Sequence, residues 1–91
     1  MLDLYQTSSY KRQVKRYKHK HEILEELKEV IRLLVNELPI PAKYQNHKLM
    51  GKYKGIMELH LKPDDLLMYI KIEGQSITLV AIGNHADLGL A

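Results

Sequence analysis

The first hydrophobic positions of the chain alternate, and the next set recurs at helical spacing. Leu2 and Leu4 lie two residues apart, which predicts a short β-strand. Tyr10, Val14 and Tyr17 follow at intervals of four and three residues, so they form one stripe of a helix that faces the interior. Two serines just before this stripe are candidate N-caps. The chain is therefore predicted to begin with a strand and a short amphipathic helix.

A second helix is predicted by a wider apolar stripe. It extends from Ile23 to Leu38, and glutamates occupy its first turns, where they suit the positive end of the helix dipole. Pro39 and Pro41 are expected to end it. Residues 39–52 then form a long connection, and a loop of that length inside a compact domain is often functional.

The second half of the chain favours strands separated by turns. Alternating and β-branched residues predict three of them, at Tyr53–Leu61, Leu66–Ile72 and Ser76–Ile82. The order β-α-α-β-β-β groups the helices before a strand meander. That order is typical of an α+β fold, with two N-terminal helices packed on one face of an antiparallel sheet. The length of 91 residues predicts a single domain over residues 1–91.

Composition excludes several classes of protein. Cysteine is absent, which excludes disulfides, thiolate metal sites and cysteine nucleophiles. No apolar run approaches the roughly 18 residues that a membrane helix needs. The N-terminus shows no signal-peptide pattern. We therefore expect a cytoplasmic protein without a membrane segment.

The formal net charge of +3 conceals an alternation of basic and acidic segments. Residues 1–21 hold six bases and one acid, and residues 38–57 hold four lysines and no acid. The segments that follow each of them are acidic. A shared cationic surface would attract phosphate backbones, although a solvated helix face has the same composition. The phosphate-binding candidates in the two basic blocks are Lys11, Arg12, Lys15, Arg16, Lys48, Lys52 and Lys54.

Candidate chemistry is concentrated on one predicted strand and at the ends of its neighbours. Strand alternation places Glu58 and His60 on the face opposite to the core residues. Three further candidates lie at element ends or in loops: His47, Asp64 and His85. Histidine is suited to proton transfer near neutral pH. These five residues form a candidate acid/base site if the fold brings them together.

Each candidate also has a purely structural interpretation. Glu58 and His60 could be an exposed polar pair, and His85 could be a turn residue. His19 and His21 lie in a lysine run and are expected on the surface. A metal site is also conceivable from histidines and carboxylates, but the three site histidines show no HxH or HxxxH spacing and no metal ligands are assigned. Spacing alone therefore indicates a basic α+β domain with a candidate acid/base cluster.

Four segments, in order along the chain, carry a family resemblance. Residues 43–55 read KYQNHKLMGKYKG, residues 58–60 ELH, residues 63–64 PD and residues 83–88 GNHADL. They are similar to the Y-x-D-H-x-L-x-G-x-[WY]-K-G stretch, the acid-x-His, the Pro-Asp and the terminal Gly-x-His-x-x-Leu of YafQ-type toxins. Those proteins belong to the RelE/ParE superfamily and are the toxin halves of bacterial type II toxin–antitoxin pairs. The resemblance covers the whole chain.

The resemblance implies a RelE-like fold and a ribosome-dependent mRNA endonuclease, or mRNA interferase, that cleaves mRNA in the 30S A site and inhibits translation. It also implies a DinJ/RelB-like antitoxin as partner, with DNA reached only through the toxin–antitoxin complex. No membrane, cofactor or metal is implied. The basic first helix offers a surface for an antitoxin. The family's catalytic positions fall on His47, Glu58, His60, Asp64 and His85.

The chemistry that the resemblance implies is acid/base attack of the ribose 2′-OH on the adjacent phosphorus. His60 or Asp64 would act near the base function, and His85 would be the general acid. His47 would hold the phosphate or assist proton transfer. Positive charge for the transition state would come from the lysines of the second basic block: Lys48, Lys52 and Lys54.

Three positions depart from the family pattern. Gly89 stands where an aromatic residue usually follows His-x-x-Leu and can stack on a base. Ala81 and Asp65 replace a frequent basic residue and a large residue. These departures predict weakened activity. They leave open an alternative, a non-catalytic protein of the same fold that binds an antitoxin or ribosome, or that poisons DNA gyrase.

Overall fold

A computed structural model describes residues 1–89 as two helices and five strands. Their bounds are β1 Asp3–Gln6, α1 Ser8–Val14, α2 His21–Val35, β2 His47–Lys48, β3 Met57–Lys62, β4 Asp65–Ile72 and β5 Ser76–Gly83. Short 3₁₀ turns occupy Lys15–Tyr17, Ala42–Tyr44 and Gly51–Tyr53. The α+β class is confirmed. The short strand β2 lies in the connection that was expected to be a loop.

The five strands form one sheet in the order β1-β5-β4-β3-β2. The strands from β2 to β5 are antiparallel, as predicted, whereas β1 runs parallel to β5, with Asp3 opposite Ser76. A parallel pair needs a long connection between its strands. Both helices and the rest of the meander provide it here.

The first helix is capped one residue earlier than the sequence suggests. The Oγ1 atom of Thr7 accepts a hydrogen bond from the amide of Tyr10 at 3.0 Å and donates one to the carbonyl of Val80 at 2.6 Å. Ser8 and Ser9, the predicted caps, lie within the helix instead. Thr7 thus caps α1 and ties it to β5.

The second helix ends three residues before its apolar stripe does. Glu37 adopts a left-handed backbone with φ +54°. Its amide donates to the carbonyl of Leu34, and the amide of Leu38 donates to that of Leu33. These two bonds form a Schellman motif, which closes the helix after Val35. The predicted end at the prolines was therefore wrong, because the backbone reverses before they are reached.

The core lies between the helices and one face of the sheet. Tyr10 and Tyr17 of the first helical segment are buried in it, as predicted. The sheet contributes Leu59, Leu61, Leu67, Tyr69, Ile77, Leu79 and Ile82. Strand β3 begins at Met57 rather than at Tyr53, because residues 51–53 form a 3₁₀ turn. The opposite face of the sheet, called the open face below, carries the candidate site.

Candidate active site

Strand pairing brings His47 to the open face beside Glu58. The two residues are register partners in β2 and β3, and partners in adjacent strands share a face. Gln45, just before β2, adopts a left-handed backbone with φ +48°. The next residue, Asn46, accepts a hydrogen bond at 2.6 Å from the hydroxyl of the buried residue Tyr69. A core tyrosine therefore anchors the segment that positions His47.

His47, Glu58 and His60 form one contact group, called here the Glu58 cluster. The Nε2 atom of His47 lies 3.3 Å from Glu58 Oε1, and that of His60 lies 3.7 Å from the same oxygen. The opposite nitrogen of each ring meets a backbone carbonyl. Nδ1 of His47 donates to the oxygen of Gln45 at 2.6 Å, and Nδ1 of His60 donates to that of Pro63 at 3.3 Å. Both rings are thus oriented with Nε2 towards the carboxylate.

Glu58 is buried, contrary to the exposed face that alternation predicted for it. Only 4% of the residue is accessible. Its register neighbours are His47 on one side and Met68 on the other, and Met68 is itself buried. The Oε2 atom is buried without a hydrogen-bond partner among the described residues. A carboxylate in that position is costly unless a positive charge or a proton donor lies beside it, and either imidazole can supply one.

Asp64 and His85 form a second contact, called here the Asp64–His85 pair. Asp64 lies in the turn between β3 and β4, and its Oδ1 accepts a 2.7 Å hydrogen bond from His85 Nδ1. The backbone amide of His85 donates to the same oxygen at 3.4 Å. The hydrogen bond from the His85 side chain lowers the pKa of Asp64 below its usual value. His85 is consequently held with its Nε2 atom directed away from the carboxylate.

The turn that carries His85 folds closely over the end of β5. Gly83 permits this approach, because a Cβ atom there would lie 3.1 Å from the Cβ of Asp87 and 3.4 Å from Leu88 Cδ2. Asn84 Oδ1 accepts a hydrogen bond from the amide of Asp87 at 2.7 Å. Strand β5 extends to Gly83, one residue beyond its predicted end, and the turn that begins at Asn84 positions His85.

The structure brings all five predicted acid/base residues to one region of the open face. The ring centroids of His60 and His85 lie 5.8 Å apart, and those of His47 and His60 lie 6.1 Å apart. His60 therefore links the Glu58 cluster to the Asp64–His85 pair. His19 and His21 are exposed in and beside the basic segment, as expected.

The first basic block reaches this region through its last member, Arg16. Its members on α1 and the following turn include Lys11, Arg12, Lys15 and Arg16, and all are exposed. The guanidinium of Arg16 lies 3.9 Å from the carboxylate of Asp87, in the turn that carries His85. This contact places the end of the basic segment beside the Asp64–His85 pair.

Two lysines of the second basic block, Lys48 and Lys54, do not join the histidines as the sequence suggested. Lys48 pairs with Met57 in β2 and β3, so it lies on the helix side of the sheet, opposite to His47. There it lines a groove of about 550 Å³ together with Lys54. The ammonium of Lys52 lies 5.1 Å from the ring centroid of Tyr53.

One supporting contact has no signal in the sequence. The hydroxyl of Tyr17 donates to Asp65 Oδ1 at 3.0 Å and so links the first helical segment to the turn that carries Asp64. Burial, and then this hydrogen bond, raise the pKa of Tyr17 above its usual value. Asp65, one of the three positions that depart from the family pattern, thus has a hydrogen-bond partner in this chain.

The Glu58 cluster has the composition of a metal site. The ligand atoms of His47, Glu58 and His60 all lie within 4.8 Å of one another. Sequence spacing did not predict this group because strand pairing, rather than a short motif, brings His47 to the other two.

No helix among residues 1–89 is long and apolar enough to cross a membrane.

Two helices on a mostly antiparallel five-stranded sheet form the fold of RelE/YoeB-like toxins. The profile of the family described as bacterial toxin of type II toxin-antitoxin system, YafQ, matches residues 2–89, and the chain belongs to that family. The mRNA interferase toxin YafQ of Escherichia coli strain K12 is 34% identical over 87 residues, which are 94% of either chain.

Two solved structures are also similar to this chain. The first is the E. coli DinJ–YafQ toxin–antitoxin complex, with a TM-score of 0.83, 34% identity and 96% coverage of each chain. The second is a metal-bound toxin from Helicobacter pylori, with a TM-score of 0.86 and 32% identity. That match covers 97% of this chain and 99% of the other.

Proposed function

We propose that this chain is the toxin of a type II toxin–antitoxin system and acts as a ribosome-dependent mRNA interferase in the cytoplasm. The observation that carries the proposal is the convergence of the Glu58 cluster and the Asp64–His85 pair, whose nearest imidazole rings are 5.8 Å apart. Two proton-transferring groups at this separation suit a reaction that removes one proton and delivers another.

The proposed reaction is an in-line transesterification of RNA. The ribose 2′-OH loses its proton and its oxygen bonds to the adjacent phosphorus, while the bond to the 5′-oxygen breaks and that oxygen gains a proton. The products are a 2′,3′-cyclic phosphate and a 5′-hydroxyl. Atoms and charge balance without an additional reactant, so the protein must supply only a base, an acid and stabilisation of the developing charge.

The contacts favour particular roles within this reaction. His60 is the proposed base, because its Nδ1–H is bound by the carbonyl of Pro63 and its Nε2 lone pair remains for the substrate. Glu58 then stabilises the imidazolium that forms. His85 is the proposed acid through Nε2, and Asp64 orients it through Nδ1. His47, the most exposed of the cluster, is proposed to contact the phosphate.

Phosphate backbones of mRNA and the ribosome are the proposed partners of the basic residues. Arg16 lies beside Asp87, in the turn that carries His85, and Lys11, Arg12 and Lys15 are exposed on the same helical segment. Lys48, Lys52 and Lys54 are proposed to contact phosphates outside the reaction centre. Such contacts add affinity that does not depend on the nucleotide sequence of the RNA.

A DinJ/RelB-like antitoxin is the proposed protein partner, since a similar toxin forms a complex with DinJ. Contact with DNA is proposed only through that complex. The relative from Helicobacter pylori was solved with metal bound, and we extend metal binding to this chain. The cleavage itself is proposed to proceed without metal, because the acid, base and charged groups above complete it.

The test is to map mRNA 5′ ends on translating ribosomes after induction of the chain without an antitoxin. Codon-aligned cuts are expected with the unaltered chain, and their loss with His60→Ala or His85→Ala. The His19→Ala variant is the matched control, since His19 is exposed and distant in sequence from both contact groups. Unchanged cleavage in both site variants would refute the roles given above.

Gly89 favours a second candidate, a binding protein that does not cleave RNA. Its backbone φ is +72°, and glycine has no side chain on which a base could stack. Growth arrest with DNA damage and without codon-aligned cuts would support the gyrase-poison form of this alternative. Arrest without either would support a ribosome-binding protein.

A further inference from the structure

Three electron-pair donors converge in the Glu58 cluster. A carbonyl oxygen can only accept a hydrogen bond, so the contacts to Gln45 and Pro63 place the ring hydrogens of His47 and His60 on Nδ1. In the neutral rings, Nε2 then carries a lone pair. Both Nε2 atoms face the same carboxylate oxygen, at 3.3 and 3.7 Å. This arrangement is stabilised when a cation or a proton lies between the three groups.

Burial strengthens the preference for a positive partner. The Glu58 side chain is only 6% exposed, and its Oε2 atom has no hydrogen-bond partner among the described residues. The low dielectric of such a position makes an uncompensated carboxylate costly. His47 lies at the open side of the cluster with a side chain that is 47% exposed, so an ion from solution can reach the carboxylate.

The separations match the coordination shell of zinc. Ligands at about 2.0–2.1 Å from a tetrahedral Zn²⁺ lie about 3.4 Å from one another. The observed contacts of Glu58 are 3.3 and 3.7 Å, and all three ligand atoms fall within 4.8 Å. A small inward movement of His47, which belongs to a strand of only two residues, would complete the geometry.

The outer contacts of the two histidines also suit metal ligands. A ligating imidazole usually donates its other N–H to a carbonyl or carboxylate, which fixes the tautomer and the ring orientation. Gln45 and Pro63 provide carbonyls in this role for His47 and His60. The site thus combines ligand atoms with the groups that orient them.

We propose that His47 Nε2, Glu58 Oε1 and His60 Nε2 bind one Zn²⁺ ion, with water in the fourth position, and that this ion inhibits the nuclease. Two imidazoles and one carboxylate favour such an ion over Mg²⁺, which prefers oxygen ligands. Inhibition follows because zinc occupies the lone pair of the proposed base and the carboxylate that stabilises it. The binding stands on geometry alone, whereas the inhibition rests on the proposed function.

Binding is tested by isothermal titration of the purified full-length chain with ZnCl₂ in the absence of RNA. We expect one ion per chain and a higher melting temperature with zinc, and neither with MgCl₂. His47→Gln and Glu58→Gln should each weaken binding at least about tenfold. The double variant His19→Gln/His21→Gln is the matched control, since this exposed HxH pair is an alternative surface site for zinc.

The binding outcomes are decisive in either direction. Circular dichroism without zinc establishes that each variant is folded, and His47→Gln, which changes the exposed member of the cluster, serves if Glu58→Gln does not fold. Loss of binding in the His19/His21 control, or full affinity in both cluster variants, would overturn the site. Undetectable zinc binding by the unaltered chain would do the same.

Inhibition is tested separately with programmed ribosomes in Mg²⁺ buffer. Stoichiometric zinc should lower the cleavage rate at least tenfold, and a zinc-selective chelator should restore it. Zinc binding with an unchanged or raised cleavage rate would refute the inhibition and leave the site intact. An absence of cleavage by the metal-free protein would refute the proposed nuclease function, while the titration would still decide the metal site.

Discussion

The two halves of the site hold their carboxylates in opposite environments. In the Glu58 cluster the carboxylate side chain is 6% exposed and lies between two imidazoles, each oriented by a backbone carbonyl. In the Asp64–His85 pair the carboxylate is 69% exposed and itself orients a single imidazole. The first half is built by strand pairing, whereas the second depends on contact between two turns.

This difference in exposure determines how well water can replace a lost partner of each carboxylate. Water can solvate Asp64 when its partner is lost, so an exposed pair contributes little by itself. Water cannot readily replace a charge at Glu58, where removing one partner leaves the other buried and unpaired. Changes in the cluster should therefore have larger effects on catalysis than equivalent changes in the pair.

The largest expected effect comes from Glu58→Gln, compared with the isosteric change Asp64→Asn. Glu58→Gln removes the charge that stabilises the His60 imidazolium, and single-turnover cleavage should fall about 10²–10⁴-fold. Asp64→Asn should lower it only about tenfold, about 1.4 kcal/mol of barrier, because His85 stays accessible to water. Cleavage rates on programmed ribosomes measure both, and equal losses would refute the contrast.

The same pair of variants separates function from stability. Glu58→Gln should leave the melting temperature unchanged or raise it, because it removes a charge from a side chain that is only 6% exposed and so removes the desolvation cost of that charge. A lower melting temperature that tracks the lost activity would mean that Glu58 serves mainly to stabilise the sheet.

A smaller effect is expected from a region that belongs to neither half. Reversing charge with Lys11→Glu and Arg12→Glu on α1 should weaken ribosome binding about tenfold at low salt and make it less salt-dependent. The maximal cleavage rate should not change, because neither half of the site is altered. Lys28→Glu, on the exposed side of α2, is the matched control. Affinity measured over a salt series tests the prediction, and an unchanged salt dependence would contradict it.

The two halves also differ in how much of them the sequence could predict. Alternation predicted that Glu58 and His60 share a face, because the side-chain period of a strand is local. It assigned the wrong burial to Glu58, because burial depends on the neighbouring strands that carry His47 and Met68. The same limit applies to Lys48, whose face was decided by the register of a two-residue strand.

Other parts of the fold show the same division. The helical stripe of α2 and the three strands of the meander were predicted, since their periodicity is strong. The parallel pairing of β1 with β5, the Thr7 cap and the Schellman end of α2 were not, because they depend on tertiary contacts or on backbone reversal. The bond from Tyr17 to Asp65 joins residues 48 positions apart and has no local signal.

The smallest expected effect concerns the charge of the exposed pair. The hydrogen bond from His85 lowers the pKa of Asp64, so the contact stabilises the folded protein above the usual Asp value. This contribution is lost as the pH falls through the lowered pKa. His85→Gln should raise the pKa of Asp64 towards its usual value, whereas His47→Gln should leave it unchanged, because His47 contacts Glu58 instead. Carboxyl ¹³C NMR titration between pH 2 and pH 6 measures the shift, and equal shifts in the two variants would show that the two halves titrate as one unit.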